Sequence, residues 1–356
     1  MADTMKMWQY AKIKGNIEDV IHIVTGPIPA ASSLTKDQIL VRVLTVALNP
    51  VDYKLPESYV GSIFIRQPAI PGLDLCGRVA AVHASVTTFK ENQLVFGGFS
   101  RAPQNGTLAE YAVISASECV ALPDDVDPEH AAAAVTAGTT ALQSLLPDII
   151  KPGANIFING GSGGVGSWGL QFAKAMGARV VTSCSGSAVE MCKELGADEV
   201  FDYRQSDVIA GLKSRIASFD LVVDNVGNNS DLYDVSHMIL KPGGTFVQVG
   251  IGSNVDLGSM AVTVKRSLLA SLPMGGCKYY FVNSKNSTES LGQIAQWMAE
   301  GKAKAVIDSK FTFAEVPQAF QKLRMGHARG KIVIRANKLL DTCSAKLHHF
   351  ILIVLP

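Results

Sequence analysis

The hydrophobic pattern of the chain changes near residue 127 and divides the sequence into two parts. Before it, short apolar runs rich in β-branched residues alternate with turn signals, and Gln38–Leu48 (QILVRVLTVAL) is the longest of them. Gly77–Val82 and Cys119–Leu122 are similar runs, and such runs predict β-strands. The pattern therefore predicts a β-rich, barrel-like or sandwich unit over residues 1–126.

A different pattern begins at Asp127-Pro128-Glu129. An N-cap aspartate, a proline at the first helical position and an acidic first turn predict a helix that reaches about Leu145. Strands are then predicted at Asn155–Asn159, Arg179–Ser183, Glu199–Phe201, Phe219–Asp224 and Gly244–Gly250, with helices at Val165–Met176, Ala188–Leu195 and Leu232–Leu240. This alternation predicts an α/β unit with a doubly wound parallel sheet over residues 127–274.

The final part of the chain is less regular. Helices are predicted at Ser290–Glu300 and Glu315–Met325, and a closing strand at Gly330–Ile334. We expect that strand to return to the first unit, so that residues from about 275 to 336 complete it. Residues 337–356 have no predicted element, and their apolar end is far shorter than the about 20 residues that cross a bilayer.

Composition excludes several classes of protein. The chain has 356 residues, of which 47% are hydrophobic and 18% charged, and its formal net charge is +1. This length predicts two domains, and the near-neutral charge argues against a nucleic-acid or electrostatic membrane partner. Six cysteines without a Cys-x-x-Cys pair, and an N-terminus without an apolar signal segment, favour a reduced, cytoplasmic protein.

The strongest motif is the glycine-rich loop Asn159–Gly166. It follows a short apolar strand and opens an amphipathic helix, which is the context that a dinucleotide-binding loop requires. Its glycines permit a tight turn and close approach of a pyrophosphate, which the free amides of the helix start can hold. The alternative is a glycine-rich turn in another kind of α/β protein. The predicted cofactor contacts in this loop are Gly161, Ser162, Gly163, Gly164, Val165 and Gly166.

The turn after the next predicted strand bears on which nucleotide binds. An NAD site carries an acid about 20 residues past the glycine loop, whereas Thr182–Ser187 (TSCSGS) contains none. Hydroxyl groups donate to a 2′-phosphate and do not repel it, and Tyr203 and Arg204 follow the next strand. NADPH is therefore the predicted cofactor. No basic residue lies in Ser183–Ser187 itself, and a solvated serine turn is the alternative.

Lys54 and Tyr53 are the predicted catalytic residues. In hydride transfer the cofactor supplies the hydride, and the protein supplies placement and a proton. A lysine in a partly dry pocket can act as the general acid, although Lys54 could equally be a solvated lysine after a turn. For Tyr53 the alternative is aromatic packing. Asp52 is expected to cap or orient the same loop.

The order and spacing of several segments resemble the medium-chain dehydrogenase/reductase superfamily over about residues 5–336. The resemblance implies a GroES-like β-rich N-terminal domain, a Rossmann domain inserted after it, and a C-terminal return to the first domain. The segments that carry it are Asn49–Lys54 (NPVDYK), Pro71–Gly77 (PGLDLCG), Gly106–Tyr111 (GTLAEY), Ala137–Ala141 (AGTTA), the glycine loop, Leu195–Asp198 (LGAD) and Lys241–Gly244 (KPGG).

Within that superfamily the chain resembles the zinc-free branch. Zinc-dependent alcohol dehydrogenases carry Cys-His where this chain has Asn49-Pro50, and Gly-His-Glu where it has Gly72-Leu73-Asp74. The four cysteines of their structural zinc have no counterpart in Val82–Ala109. A catalytic zinc needs three protein ligands, so we expect no metal. Without a Lewis acid, conjugated acceptors suit the site better than simple ketones or alcohols.

The zinc-free branch includes quinone oxidoreductases, alkenal reductases and the trans-acting enoyl reductases of fungal polyketide pathways. The resemblance therefore implies NADPH-dependent hydride transfer to a conjugated C=C bond of a small or polyketide-like substrate, either free or carrier-bound. Reduction of quinones is the alternative, and an NADPH-binding protein with altered or non-redox function is the alternative from another class. Homodimers through the Rossmann sheet are common in the superfamily, so a homodimer is a further expectation.

The resemblance also implies particular contacts. The nicotinamide would lie against Asn49, Pro50, Asp52, Gly250 and Ile251. The 2′-phosphate would be held by Ser185, Ser187, Ala188 and Tyr203, although many quinone reductases place a lysine where Ala188 stands. The expected substrate contacts are Thr139, Lys265 and Leu269.

Overall fold

The structure is a computed structural model that describes residues 3–146, 150–227, 230–250, 257–270 and 277–336. The predicted cofactor contact Ile251 and the tail 337–356 lie outside these ranges. None of the helices in the described ranges has the length and apolar character needed to span a membrane.

The N-terminal unit is built from short strands and three short helices. Its strands are β1 (Thr4–Gln9), β2 (His22–Pro27), β3 (Gln38–Leu48), β4 (Asp74–Val82), β5 (Leu94–Gly98), β6 (Tyr111–Ser115) and β7 (Cys119–Ala121), and its helices are α1 (Ile17–Val20), α2 (Val51–Glu57) and α3 (Tyr59–Phe64). Strand β3 is long because its apolar run is almost continuous, and it pairs antiparallel with both β4 and β6.

The second unit begins with the helix predicted at Asp127, whose carboxylate accepts a hydrogen bond from the Glu129 amide (2.8 Å). Its helices are α4 (Pro128–Ser144), α5 (Gly164–Ala175), α6 (Val189–Glu194), α7 (Val208–Lys213), α8 (Ser230–Ile239) and α9 (Leu257–Ala270). Its strands are β8 (Asn155–Asn159), β9 (Arg179–Cys184), β10 (Glu199–Asp202), β11 (Phe219–Asp224), β12 (Leu240–Gln248) and β13 (Lys278–Phe281).

These six strands form one parallel sheet in the order β10-β9-β8-β11-β12-β13. This is the order of a doubly wound dinucleotide-binding sheet, and it confirms the predicted fold class. Ligands of such sheets bind beyond the carboxyl ends of the strands where the order reverses. Here that point lies between β8 and β11.

The chain then continues through α10 (Thr288–Ala299), β14 (Ile307–Thr312), α11 (Val316–Arg324) and β15 (Lys331–Arg335). Strand β15 pairs antiparallel with β3, so the end of the chain completes the first sheet. Helix α4 packs against both units, and its residues 131–134 are all alanines with no exposed surface. Small side chains let this helix lie close to β3, β4 and α5 at once, which joins the two units through one hydrophobic core.

Some elements were not predicted from the sequence. Helices α2 and α3 lie where only a loop was expected, because Pro56 and Gly61 weaken the helical pattern there. Strand β12 begins at Leu240, four residues before the predicted start, because the Lys241–Gly244 turn signals lie inside it. Strands β13 and β14 are short and only partly buried, so they carry no strong apolar alternation.

Candidate functional site

The glycine-rich loop joins β8 to α5 at the point where the strand order reverses. Gly160 has a φ of +78°, a conformation that favours glycine. A Cβ atom at Gly166 would overlap the Gly160 carbonyl oxygen and lie 2.7 Å from the Cα of Gly161. The two ends of the loop therefore touch, which requires a glycine at 166. We refer to residues 160–166 as the glycine cradle.

The space above Gly163 is open. A Cβ atom built there has its nearest neighbour, the Gly160 carbonyl oxygen, at 3.6 Å. Gly163 is the N-cap of α5, and no side chain in the described part of the chain caps that turn. The first amides of a helix lack intrahelical partners and attract anions. The cradle thus fits the pyrophosphate of a dinucleotide, because backbone amides are available and the described residues leave open space at Gly163.

Ser183 supports the cradle and is not available to a phosphate. Its hydroxyl accepts from the Gly160 amide (3.1 Å) and donates to Asn159 Oδ1 (2.6 Å). Its carbonyl oxygen accepts from the Gly161 amide (3.0 Å). Only 1% of Ser183 is exposed. We refer to residues 182–187 as the serine-rich turn. Within it, the Ser183 hydroxyl forms its hydrogen bonds with the protein itself.

The predicted 2′-phosphate contacts lie at the adjacent end of β9. Ser187 and Tyr203 are exposed there, and Ser185 is partly exposed. Ala188 is fully buried, and its amide donates to the Ser185 carbonyl (2.8 Å). Ala188 therefore shapes the turn and offers no free donor of its own.

An acid also lies at this turn, although the sequence pattern did not reveal it. Asp202 pairs with Cys184 in the ladder between β10 and β9. Its carboxylate lies so close to Gly186 that a Cβ atom at Gly186 would collide with it. One carboxylate oxygen accepts from the Arg204 amide (3.0 Å) and caps the following turn. The acid was missed because it is 16 residues from Gly186 along the chain and adjacent to it only in the sheet.

The carboxyl end of β11 contributes two further residues that sequence reasoning missed. The Asn225 side-chain amide donates to the Asn159 carbonyl (3.1 Å), which ties β11 to the start of the cradle. Its Oδ1 is buried and has no hydrogen-bond partner among the described residues. The backbone carbonyl of Asp224 accepts a hydrogen bond from the Gly250 amide (3.1 Å). The predicted contact Gly250 therefore lies at the same edge of the sheet as the cradle.

A group of polar side chains is buried between the two units, and we call it the buried cluster: Asn49, Asp74, Thr136 and Lys331. The Lys331 ammonium donates to Asn49 Oδ1 (2.5 Å) and lies 3.3 Å from Asp74 Oδ2. The side-chain amide of Asn49 donates to the same Asp74 oxygen, Oδ2 (2.9 Å), and the Thr136 hydroxyl donates to the other oxygen, Oδ1. The side chains of Lys331 and Asp74 are 4% and 0% exposed. Burial makes this pairing obligatory, because a lone buried charge is strongly destabilising.

The family resemblance implies two zinc-ligand positions in this region, one at Asn49 of the buried cluster and one at Leu73, which precedes Asp74. Among the described residues, no group of three or more His, Cys, Asp and Glu side chains is arranged to hold a metal ion. Cys76, Cys119, Cys184, Cys192 and Cys277 are free and buried.

Asp52 adjoins this cluster at the start of α2. Its carboxylate accepts a hydrogen bond from the backbone amide of Asn49 (2.7 Å), so it orients the Asn49–Pro50 turn as predicted. It is 4% exposed. Burial is the main cause that raises the pKa of Asp52 from its usual 3.8 to about 7, and the Asp74 charge adds to the rise. Pro50 itself is exposed beside it.

The cluster and the cradle are physically joined through β15. The Lys331 stem passes beneath the cradle, since a Cβ atom at Gly164 would lie 3.3 Å from Lys331 Cδ. The Gly330 amide donates to the Ser162 carbonyl (2.9 Å). The structure thus connects Asn49, through its hydrogen bond with Lys331, to the predicted cofactor loop.

Lys54 and Tyr53, the predicted catalytic residues, differ in their surroundings. Lys54 is half-buried on α2, and burial lowers its pKa. The Tyr53 ring lies 4.5 Å from the Arg324 guanidinium, which also binds Glu18 and Glu57. Burial raises the pKa of Tyr53. Tyr53 is thus part of the N-terminal unit's packing, which was the alternative stated for it.

Thr139 is a buried residue of α4 with 0% exposure. Its hydroxyl has no hydrogen-bond partner in the described part of the protein. Buried hydroxyls are nearly always bonded, and the substrate contact expected of Thr139 stays a prediction. Thr139 lies three residues beyond Thr136 and therefore on the same face of α4, the face that meets the buried cluster.

The remaining predicted substrate contacts lie on α9. Lys265 is exposed there, whereas its neighbour Arg266 is buried and donates to Gln248 Oε1 (2.8 Å). The Arg266 guanidinium also lies 4.3 Å from the centre of the Tyr233 ring. Arg266 thus fixes α9 to the parallel sheet. The side chain of Leu269 and all of Ile251 lie outside the described residues.

Comparison with known proteins agrees with this architecture. A sequence model of the alcohol dehydrogenase GroES-like domain matches residues 35–124, and one of a zinc-binding dehydrogenase matches residues 195–334. The trans-enoyl reductase pgmF of Aspergillus terreus is 39% identical over 354 residues, with 94% of this chain and 97% of that protein covered. The chain belongs to the medium-chain dehydrogenase/reductase family.

Two further relatives extend that assignment. The mitochondrial NAD(P)H oxidoreductase RTN4IP1 of Danio rerio is 30% identical over 330 residues, covering 84% of this chain and 83% of that protein. The solved quinone oxidoreductase of Coxiella burnetii superposes with a TM-score of 0.80 at 26% identity, covering 94% of this chain and 100% of that one. This medium-chain dehydrogenase/reductase is therefore an oxidoreductase with the predicted fold class, a GroES-like domain combined with a parallel-sheet, Rossmann-like domain.

Proposed function

We propose that this medium-chain reductase transfers a hydride from NADPH to a conjugated C=C bond of a small or polyketide-like substrate, without a metal. The observation that carries the proposal is the buried cluster. A lysine ammonium, an asparagine and a threonine surround Asp74 where a zinc site would need thiolate and imidazole ligands. Without a Lewis acid at the carbonyl, a C=C bond activated by conjugation is the better hydride acceptor.

The chain's own residues would divide the work as follows. The cradle amides at Gly164, Val165 and Gly166 would hold the pyrophosphate, and Asn49 and Asp52 would contact the nicotinamide. Thr139 donates its unpaired hydroxyl to an oxygen of the bound ligands. When bound, the nicotinamide supplies the hydride.

Lys54 is the proposed proton donor. Addition of a hydride to the β-carbon leaves negative charge on the substrate, and one proton at the α-carbon completes the reduction. Because burial lowers the pKa of Lys54, its ammonium releases a proton more readily than an ordinary lysine does. The pgmF relative, named a trans-enoyl reductase, supports the choice of an enoyl acceptor.

A labelled cofactor tests the reaction directly. NADPH deuterated at C4 is incubated with the full chain and an enoyl thioester, an enal or a quinone, and the products are examined by mass spectrometry. The proposal expects deuterium at the β-carbon of a saturated product. The Lys54→Met variant should lower kcat by about 10²-fold or more, as loss of a general acid does. Tyr53→Phe is the matched control and should retain most of the activity.

Two outcomes would replace the proposal. Oxidation of NADPH with quinones alone would establish quinone reduction, which the likeness to the Coxiella burnetii quinone oxidoreductase favours as the second candidate. Binding of NADPH without its oxidation by any acceptor would establish an NADPH-binding protein with altered or non-redox function.

The metal-free part of the proposal has its own test. Elemental analysis of the purified protein should find less than stoichiometric zinc, and dialysis against a chelator should leave the reaction rate unchanged. Zinc at one equivalent, with loss of activity on its removal, would contradict the assignment of Asn49 and Lys331 to a metal-free site.

A further inference from the structure

The last residue of α11 joins this helix to two others, α1 and α2. The Arg324 guanidinium donates to both carboxylate oxygens of Glu18 on α1 (2.7 Å each). It also donates to both carboxylate oxygens of Glu57 on α2, one of them at 3.0 Å. The Tyr53 ring of α2 lies 4.5 Å from the same guanidinium. We refer to Arg324, Glu18, Glu57 and Tyr53 as the arginine cluster.

The arginine cluster is held together by charge in a poorly solvated place. The side chains of Glu18, Glu57 and Arg324 are 4%, 17% and 28% exposed. Two carboxylates meet one cation, and without that cation they would repel each other with little screening from water. Paired hydrogen bonds between arginine and a carboxylate are also directional, so they fix orientation as well as distance.

Helix α2 depends on contacts of this kind. It has only seven residues and contains a proline, and helices this short are marginal on their own. Its first turn is held by Asp52, which accepts from the Asn49 backbone amide (2.7 Å). Its last turn is held by Glu57, which binds Arg324 and also accepts from the Ile17 amide (2.8 Å). The two ends of α2 are therefore fixed by different parts of the chain.

Lys54 lies between the two α2 members of the arginine cluster. Tyr53 and Glu57 are four residues apart and therefore lie on one face of α2, the face that meets Arg324. Successive residues of a helix are turned by about 100° from each other. A helix whose Tyr53 and Glu57 are fixed cannot rotate, and the direction in which Lys54 leaves it is then fixed as well.

We propose that Arg324 is a positioning residue, which fixes the rotation of α2 through Glu57 and Tyr53 and so holds the Lys54 ammonium in place for proton transfer. The inference rests on the proposed function in taking Lys54 as the proton donor. Misplacement of a reacting group by about 1 Å can cost about 10²-fold in rate. The end of α11 thus contributes to the reaction without touching the substrate.

Two matched variants test this role. Glu57→Met removes a contact of Arg324 with α2, and Glu18→Met removes its contact with α1. Each variant takes away one carboxylate and leaves Arg324 paired with the other, so the change in charge is the same. We expect Glu57→Met to lower kcat by about 10-fold and to change the KM of the acceptor by about twofold at most, because proton transfer follows binding. Glu18→Met should lower kcat less.

Two readouts separate positioning from a general loss of stability. When Lys54 is misplaced, proton transfer limits the rate, so the solvent isotope effect on kcat in deuterated water should increase in Glu57→Met and not in Glu18→Met. Hydrogen exchange of the α2 amides, followed by mass spectrometry, should be faster in Glu57→Met, since exchange reports local opening. Glu57→Gln keeps an acceptor for Arg324 and should recover part of both effects. Denaturant unfolding checks that every variant is folded.

The outcomes also separate this inference from the proposed reaction. A larger loss of kcat in Glu57→Met, together with its increased solvent isotope effect and faster α2 exchange, would uphold the role of Arg324. Equal kcat values or equal α2 exchange in the two methionine variants would overturn it, as would a loss of kcat without a larger solvent isotope effect. Full activity in Lys54→Met would instead remove Lys54 as the proton donor, and the exchange measurement would still decide whether Glu57 anchors α2.

Discussion

The glycine cradle and the buried cluster lie against each other, but they are built in opposite ways. The cradle is a continuous stretch, residues 160–166, and it depends on glycines, whose lack of a side chain permits close backbone contacts and leaves space for a phosphate. The cluster joins Asn49, Asp74, Thr136 and Lys331, which come from four separate segments and depend on charge. Contact between the two runs through Gly330 and Lys331.

The comparison teaches that the two regions tolerate different changes. The cradle should be sensitive to added volume, because the backbone of Gly166 touches that of Gly160. The cluster should be sensitive to unbalanced charge, because water cannot replace a lost partner inside the protein. Substitutions in and around the two regions test that distinction.

The largest expected effect is that of Lys331→Met. It removes the ammonium and leaves the Asp74 carboxylate buried without its cation, which should lower the free energy of unfolding by about 3–5 kcal/mol. Denaturant unfolding measures the loss. The double variant Lys331→Met/Asp74→Asn removes both charges and should recover part of it, since the two residues interact. A loss of less than about 1 kcal/mol, typical of an exposed pair, would mean that the cluster is not a buried charge pair.

Asp52→Asn tests the same region through pH. Since the folded protein raises the pKa of Asp52 to about 7, it holds a proton between pH 4 and 7 that the unfolded chain has released. The contribution of Asp52 to the free energy of unfolding should therefore be largest below about pH 4. It should fall by about 4 kcal/mol as the pH rises to 7. The variant should lack this component when unfolding is measured across the range. Parallel pH profiles in the two proteins would contradict the raised pKa.

Gly166→Ala tests the cradle. A Cβ atom there meets backbone that cannot move aside, so we expect a loss of about 1–3 kcal/mol in the free energy of unfolding together with loss of NADPH binding. Gly163→Ala is the matched change. It has open space and should alter stability by about 0.5 kcal/mol at most, yet weaken NADPH binding by obstructing the pyrophosphate. Unchanged NADPH affinity in Gly163→Ala would mean that the cradle is not the phosphate site.

A small gain in stability is expected for Thr139→Val. The side chains have similar shapes, and the hydroxyl removed is buried without a partner, so the protein should gain up to about 1 kcal/mol. Reductase activity should nevertheless fall, because that hydroxyl is proposed to bind a ligand. Melting temperature and kcat are measured together. A more stable variant with unchanged kcat and KM would show that Thr139 has no role in the site.

Particular residues show how far the sequence predicts the site. Gly161, Gly163 and Gly166 were found because a local motif between a strand and a helix describes them completely. Asn49 was found only through the family resemblance, and its partner Lys331 was not found at all. Asp202 and Arg329 were also missed, because each meets the serine-rich turn only after the sheet has formed and carries no local signal.

The sequence by itself therefore determined the α/β class, the parallel sheet and the position of the glycine-rich loop between β8 and α5. These follow from hydrophobic period, turn chemistry and residue identity, all of which act over short stretches of chain. Only the tertiary structure decided that Lys331 neutralises Asp74, that the Thr139 hydroxyl has no hydrogen-bond partner among the described residues and that Arg329 reaches Ser187. Those pairings depend on the return of β15 to β3, which brings residues near 330 against residues near 49, 74, 163 and 187. Electrostatic and hydrogen-bond contacts act over a few ångströms, and the separation of two residues along the sequence does not reveal whether they lie that close in space.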